Sequence, residues 1–248
     1  MIHSKPSKFF FAVAQLFSIA AFAGPADYVF TPNIDQGEKE VSFKYGFNDK
    51  NVDIDHTAKV GFGYAPTNNW LYEINLSHQR VNGSGESFLE IENRFRLTDE
   101  GKRPYEIGFI QELGVALQKD KPNELSLGPI FQYDHEKIRV NTNFLFEREF
   151  GSNPDHEDFK TDLKYQMQVK YRYTKQFEFG LQGFGTLGEW DHWDKSKQQD
   201  HRWGPMVSGK FKFNEKDENA LKYDLGILFG LTDASPDLTL RTKFVYIF

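Results

Sequence analysis

The chain has 248 residues, no cysteine, 30 basic against 36 acidic side chains and a mean hydropathy of −0.62. The acidic balance excludes electrostatic capture of a nucleic-acid backbone, and the absence of cysteine excludes a disulfide framework, a thiolate nucleophile and a cysteine metal centre. Yet 16% of the residues are aromatic, and a hydrophilic average with that aromatic content is what a strand wetted on one face and greasy on the other produces.

The first segment reads as a secretory leader. Lys5 and Lys8 precede an apolar run from Phe9 to Ala21, and Ala21-Phe22-Ala23 is a small-x-small cleavage site, so residues 1–23 are predicted to be removed. The run of 13 residues is too short for a helical span, which needs about 20. Residues 24–248 then form one domain of net charge −8, since Lys5 and Lys8 leave with the leader and no Pro/Ser-rich linker divides the remainder.

Beyond the leader, apolar side chains recur at every second position in twelve segments. The first carries Val41, Phe43, Tyr45 and Phe47, the second Ala58, Val60, Phe62 and Tyr64, and the third Trp70, Tyr72, Ile74 and Leu76. Leu89, Ile91, Phe95 and Leu97 mark the fourth; Tyr105, Ile107, Phe109, Leu113, Val115 and Leu117 mark the fifth. The sixth has Leu125, Leu127, Phe131 and Tyr133, and the seventh Ile138, Val140, Phe144 and Phe146. In the eighth, Leu163, Tyr165, Met167, Val169, Tyr171 and Tyr173 alternate without a break against Asp162, Lys164, Gln166, Gln168, Lys170 and Arg172. Phe177, Phe179 and Leu181 begin the ninth. The last three carry Trp203, Val207, Phe211 and Phe213, then Leu221, Tyr223, Leu225, Ile227 and Phe229, then Leu238, Leu240, Phe244, Tyr246 and Phe248. Tight links follow even-numbered segments, and the longest connections, 151–161 and 188–199, follow odd-numbered ones, as in barrels with short turns on one side and long loops on the other. Alternation over roughly 10–13 residues exceeds the 5–6 of soluble strands, which disfavours a periplasmic sandwich. The predicted fold is all-β: a transmembrane antiparallel up-and-down barrel of about 12 strands, in the outer membrane of a Gram-negative cell, contacting lipid and lipopolysaccharide.

Phe248 ends the chain, with Phe244 and Tyr246 before it at two-residue steps, and this ending resembles the signal read by the outer-membrane assembly machinery. A second resemblance rests on Leu127-Gly128-Pro129, Trp203-Gly204-Pro205 and the ending Phe229-Gly230-Leu231-Thr232, Ser235-Pro236-Asp237, Arg241, Tyr246 and Phe248. In these the chain is similar to the outer-membrane transporter family associated with the meta-pathway of phenol degradation. That resemblance implies a barrel that passes small solutes.

The inward positions are charged. Asp53, Asp55, Glu73, Glu90, Glu92, Glu106, Glu112 and Glu124 fall on segments two to six; Lys137, Arg139, Lys164, Lys170, Arg172, Arg202, Lys210, Lys212, Arg241 and Lys243 fall on seven to twelve; Arg94, Arg96, Glu147 and Asp162 interrupt the partition. In a wet lumen these would make two walls of opposite sign and a transverse field acting on a passing solute. In a filled lumen they would make an ion-pair network with a structural or interaction role. A third class, a lipid-modifying enzyme, needs a nucleophile beside a base; Ser77 and His78 are neighbours on a strand and face opposite sides, and no G-x-S-x-G occurs. The loop from Glu189 to Asp194 with His192, together with His201 and the His156-Glu157-Asp158 run, has no spacing diagnostic of a metal, so neither metal nor cofactor is expected.

Overall fold

A computed structural model describes residues 24–50, 53–81, 83–152, 159–213 and 219–248; the expected leader, the His156-Glu157-Asp158 run and the side chains of Asp53 and Asp55 fall outside it. Its strands are β1 (Lys39–Lys50), β2 (Asp53–Thr67), β3 (Trp70–Val81), β4 (Ser84–Arg96), β5 (Tyr105–Ala116), β6 (Asn123–His135) and β7 (Ile138–Phe150). They continue with β8 (Thr161–Arg172), β9 (Glu178–Glu189), β10 (His192–Trp193), β11 (Asp200–Lys212), β12 (Ala220–Gly230) and β13 (Leu238–Ile247). Every neighbouring pair is antiparallel, β9 pairs with both β8 and β11, and β1 pairs with both β2 and β13, so twelve long strands close into a barrel. The two-residue β10 folds back on the end of β9 inside what the sequence presents as one long connection, and two residues are too few to show a period.

Alternation sets the two faces. Val60, Leu76 and Leu181 on the outside are 54%, 58% and 56% exposed, whereas Glu73, Asn75 and Gln182 on the inside are fully buried. Outward apolar exposure at that level would be an aggregation hazard in water and is the required surface against hydrocarbon. At the end where β1 begins and β13 finishes, here the turn end, aromatic rings gather: Trp70 stacks on Phe95 (centroids 6.5 Å apart), Phe213 meets Tyr246 (6.0 Å), and Tyr246 stacks on Phe248 (5.9 Å). Phe244, Tyr246 and Phe248 all face outward, and the Phe248 N–H donates to the Lys39 carbonyl at 3.0 Å, extending the closing seam. At the opposite, loop end, β1–β2 and β3–β4 are joined by two residues each, shorter than the long links at β7–β8 and β9–β11.

Residues 24–38, which carry no periodic pattern, run through the interior. The segment leaves β1 at the turn end, where the Gly37 N–H donates to the Ala65 carbonyl (2.8 Å) and Ala65 N–H to the Glu38 carbonyl (3.0 Å). Gly37 sits at φ +87°, a left-handed conformation that redirects the chain into the barrel. Ile34 packs on Ala65 and Leu71; Tyr28 and Phe30 pack on Ile110, Ile130 and Leu145; Val29 packs on Phe184 and Leu228. These inward apolar residues break the polar half of the alternation because they meet a chain segment rather than water.

At its far end the segment passes so close to β1 that a Cβ on Gly46 would land on the Pro25 carbonyl group. Gly46→Val is therefore expected to dislodge the inserted segment while leaving the barrel closed. Hydrogen–deuterium exchange of the 25–36 amides should quicken markedly with heat-modifiable gel migration retained; unchanged exchange would show that the contact does not hold the segment.

Candidate functional site: the occupied lumen

The inserted segment touches the wall through side chains. Apart from the bonds of Gly37 and Glu38 to Ala65 at the junction with β1, its backbone–backbone bonds are local, Asp27 N–H to Gly24 carbonyl (3.1 Å) and Glu38 N–H to Asp35 carbonyl (3.1 Å). Wall amides meet it: Phe30 N–H donates to Gln166 Oε1 (3.3 Å), Asn143 Nδ2 donates to the Phe30 carbonyl (3.1 Å), and Asn33 and Gln132 exchange bonds at 3.2 and 3.1 Å. Amides can do both because each carries a donor and an acceptor.

The densest cluster of ion pairs joins the inner faces of β1, β3 and β4. Arg94 on β4 reaches Glu92 (2.8 Å), Glu40 (3.4 Å) and Glu73 (3.8 Å), while Lys44 on β1 reaches Glu73 at 3.1 Å and donates to Asn75 Oδ1 at 3.3 Å. Ser42 Oγ adds a short hydrogen bond to Glu73. Into this cluster projects Tyr28, whose hydroxyl donates to Glu92 at 2.7 Å and accepts from Lys44 at 3.3 Å. The Lys243 ammonium lies 3.4 Å and the Lys44 ammonium 4.5 Å from the Tyr28 ring centroid. Each such contact is worth about 0.5–2 kcal/mol, the upper figure applying when the cation is desolvated.

Of the remaining predicted lumen residues with described side chains, Lys137 is a correction: it sits in the β6–β7 turn, exposed, with its ammonium 5.7 and 5.9 Å from the outward rings of Tyr171 and Tyr173. The others lie on the inward face, and most of them pair along the wall rather than across it. Glu90 meets Lys59 at 3.0 Å and accepts from Ser77 Oγ at 2.7 Å, with Glu112 4.0 Å from the same lysine. Arg139 and Arg172 share Asp134 (2.8 and 3.1 Å), Lys170 meets Glu178 (2.6 Å), and Lys164 forms a short pair with Glu147. Arg202 meets Asp200 (3.0 Å) and Arg241 meets Asp224 (3.1 Å). Each carboxylate sits on the cation's own strand or a near one, so two walls of opposite sign do not form. Lys210, Lys212 and Lys243 are exceptions: among the described residues none of the three has a carboxylate within 4.0 Å.

Near this cluster lies a cavity of about 40 Å³, lined by Asp27, Tyr28, Phe30, Lys59, Glu112 and Leu145 among others, which is room for little more than a water molecule. At the loop-end rim, Lys121 is held above its ordinary range by its hydrogen bond to Glu86, 2.6 Å away, which pins the β5–β6 link to the wall.

Two features raised by the sequence resolve differently. Ser77 points inward onto Glu90, but outward-facing His78 finds a cross-strand serine, with Nδ1 2.9 Å from Ser87 Oγ. The Ser87 N–H is itself engaged by Gln118 Oε1, and the His78–Ser87 pair lies exposed on the outer face. His201 has both ring nitrogens engaged, by Tyr165 Oη and Gln199 Oε1 at 2.9 Å each.

Tyr28 and Lys44 were not singled out by the sequence reading. Lys44 occupies an inward slot of the first strand, between Ser42 and Gly46, and the alternation could have revealed it; Tyr28 lies in a segment with two prolines and no period to place it.

The profile of a family described as "Putative MetA-pathway of phenol degradation" matches residues 112–248. No curated protein matches the chain. Among solved structures, a KdgM porin in complex with disordered oligogalacturonate superposes with a TM-score of 0.59 at 10% identity, covering 84% of this chain and 99% of that one. A NanC porin gives 0.51 at 8% identity, covering 84% and 97%. These likenesses establish the barrel architecture of bacterial outer-membrane proteins.

Arg94 by itself pairs with three buried carboxylates. Arg94→Met should cost about 3–5 kcal/mol by leaving buried charge unpaired, whereas Glu38→Gln, which frees half-exposed Lys222 (2.8 Å), should cost no more than about 1 kcal/mol. Equilibrium urea unfolding of the refolded protein in lipid measures both; equal losses would show that the cluster is no more than a rim pair in strength.

Proposed function

The chain belongs to the MetA-pathway phenol-degradation family, and from that premise we propose that it is an outer-membrane channel for small solutes, held closed at rest by its own residues 24–36. One observation carries this reading. The lumen is lined by polar and charged side chains and filled by a segment that adds no strand to the wall, so the filling can leave without breaking the barrel's hydrogen-bond ladder. A barrel of twelve strands lies between the small ones packed solid with side chains and the 16–18-stranded porins with open water channels. Withdrawal of an extended peptide leaves a path of peptide cross-section, suited to a small solute in single file. The inward Arg and Lys residues, Arg139, Lys164, Lys170, Arg172, Arg202, Lys210, Arg241 and Lys243, screen what passes, and the connection after β9 narrows the loop-end mouth.

In the same proposal the leader at residues 1–23 is cleaved on export, Phe244, Tyr246 and Phe248 are read by the assembly machinery, and the apolar belt meets lipid and lipopolysaccharide. A second reading is favoured by the same inserted segment: a filled barrel with a structural or interaction role, in which nothing flows.

Planar-bilayer recording separates the two. Full-length protein should be silent or flicker rarely, and deletion of residues 24–36 should give stepwise current. Lys170→Glu in that deletion, which also strips Glu178 of its ammonium partner, should shift the reversal potential toward cation selectivity. A deletion protein that is folded yet silent at every voltage supports the filled barrel.

A further inference from the structure

Tyr28 sits in the lumen as a bound phenol would. Its hydroxyl has an anionic acceptor in Glu92 (2.7 Å) and a cationic donor in Lys44 (3.3 Å), and its ring face meets the ammonium of Lys243 at 3.4 Å. Ile110, Ile130 and Leu145 supply the apolar flank. All six belong to the barrel wall, whereas Tyr28 belongs to the segment that fills it. The geometry points to a wall site for a free hydroxyaryl solute, a simple phenol, which takes the place of the Tyr28 side chain and so releases residues 24–36.

Each partner selects part of that chemistry. Benzene or toluene would leave the Glu92 carboxylate and Lys44 without the hydroxyl between them, a buried polar loss of the kind that discriminates strongly. An aliphatic alcohol has no π-face to set against Lys243, which has no described carboxylate within 4.0 Å and relies on a ring for its charge. A benzoate would bring its anion against Glu92. The adjoining cavity, beside Tyr28 and bounded by Lys59, Glu112 and Leu145, gives space for a small ring substituent.

Tyr28 and the solute cannot share the site, so binding and release are linked. The tethered tyrosine acts at high effective concentration, and a free phenol therefore binds the intact protein more weakly than one lacking Tyr28. The gating consequence rests on the channel reading above; the binding itself does not.

Isothermal titration with p-cresol and with toluene, on protein refolded in detergent micelles and checked by heat-modifiable migration, tests the site. Tyr28→Ala should bind p-cresol saturably and about tenfold or more tighter than the unsubstituted protein, with toluene at least about tenfold weaker. Adding Glu92→Gln or Lys243→Met to Tyr28→Ala should reduce p-cresol affinity by about tenfold, which micelle partitioning alone could not do. In the unsubstituted protein, p-cresol should accelerate hydrogen exchange of the 25–36 amides. The proposal is overturned if Tyr28→Ala binds neither compound, binds both alike, or is indifferent to the Glu92 and Lys243 substitutions; protein lacking residues 24–36 provides the same readout should Tyr28→Ala fail to fold. Binding without current in that deletion would sink the channel reading alone, and current without p-cresol binding would sink this site alone.

Discussion

Ten residues of β1, Glu40 to Asp49, pair with ten of β13, and that seam is the constraint from which the rest of the molecule follows. Hydrocarbon offers no partner for a backbone N–H or carbonyl, so a sheet can cross it only with no free edge. Once the sheet is closed, its two faces must differ: one meets lipid and takes Val, Leu and Phe, the other is enclosed and takes whatever the enclosed space demands. In this chain the enclosed space demands charge pairs, amides and a few apolar contacts to residues 24–36.

The first half of that logic is written in the sequence with a period of two. The unbroken alternation of Leu163 through Tyr173 fixes the facing of β8, and the same rule places Glu73, Glu92, Arg202 and Arg241 inside, where they are found buried. The second half is faint because it concerns a segment with no period. Residues 24–38 show no apolar period, and Pro25 and Pro32 each remove a backbone donor, so nothing regular is there to detect. A trace remains on the opposite surface: Ile110, Ile130, Leu145, Phe184 and Leu228 are apolar where their strands should be polar, and each touches Tyr28, Val29 or Phe30. Those five, on the enclosed face of five strands, trace the occupant, whereas Val245 and Ile247 form an apolar cluster of their own with Ala220.

The Gly-Pro pairs that carry the family likeness acquire a structural meaning in the same region. The β6–β7 register runs from Leu127↔Phe146 to Ile130↔Asn143, and β11–β12 from Trp203↔Phe229 to Met206↔Gly226, each passing over its Gly-Pro. Proline has no N–H to give the ladder, and the glycine lets the neighbouring backbone approach where a side chain would strike the Phe144 or Ile227 carbonyl. Both sites adjoin the apolar contacts, Ile130 with Leu145 in one case and Leu228 in the other, that receive the inserted residues.

Pairing along the wall also shapes what the barrel presents at a distance. A cation and a carboxylate about 3 Å apart, as in Arg202–Asp200 or Arg241–Asp224, form a compact dipole whose potential dies away within a few ångströms. A lumen built of such dipoles has no long reach into the surrounding solution and little for dissolved salt to screen. Recognition inside it therefore belongs to contact and shape, and the ionic strength outside should matter far less than the count of buried charges implies.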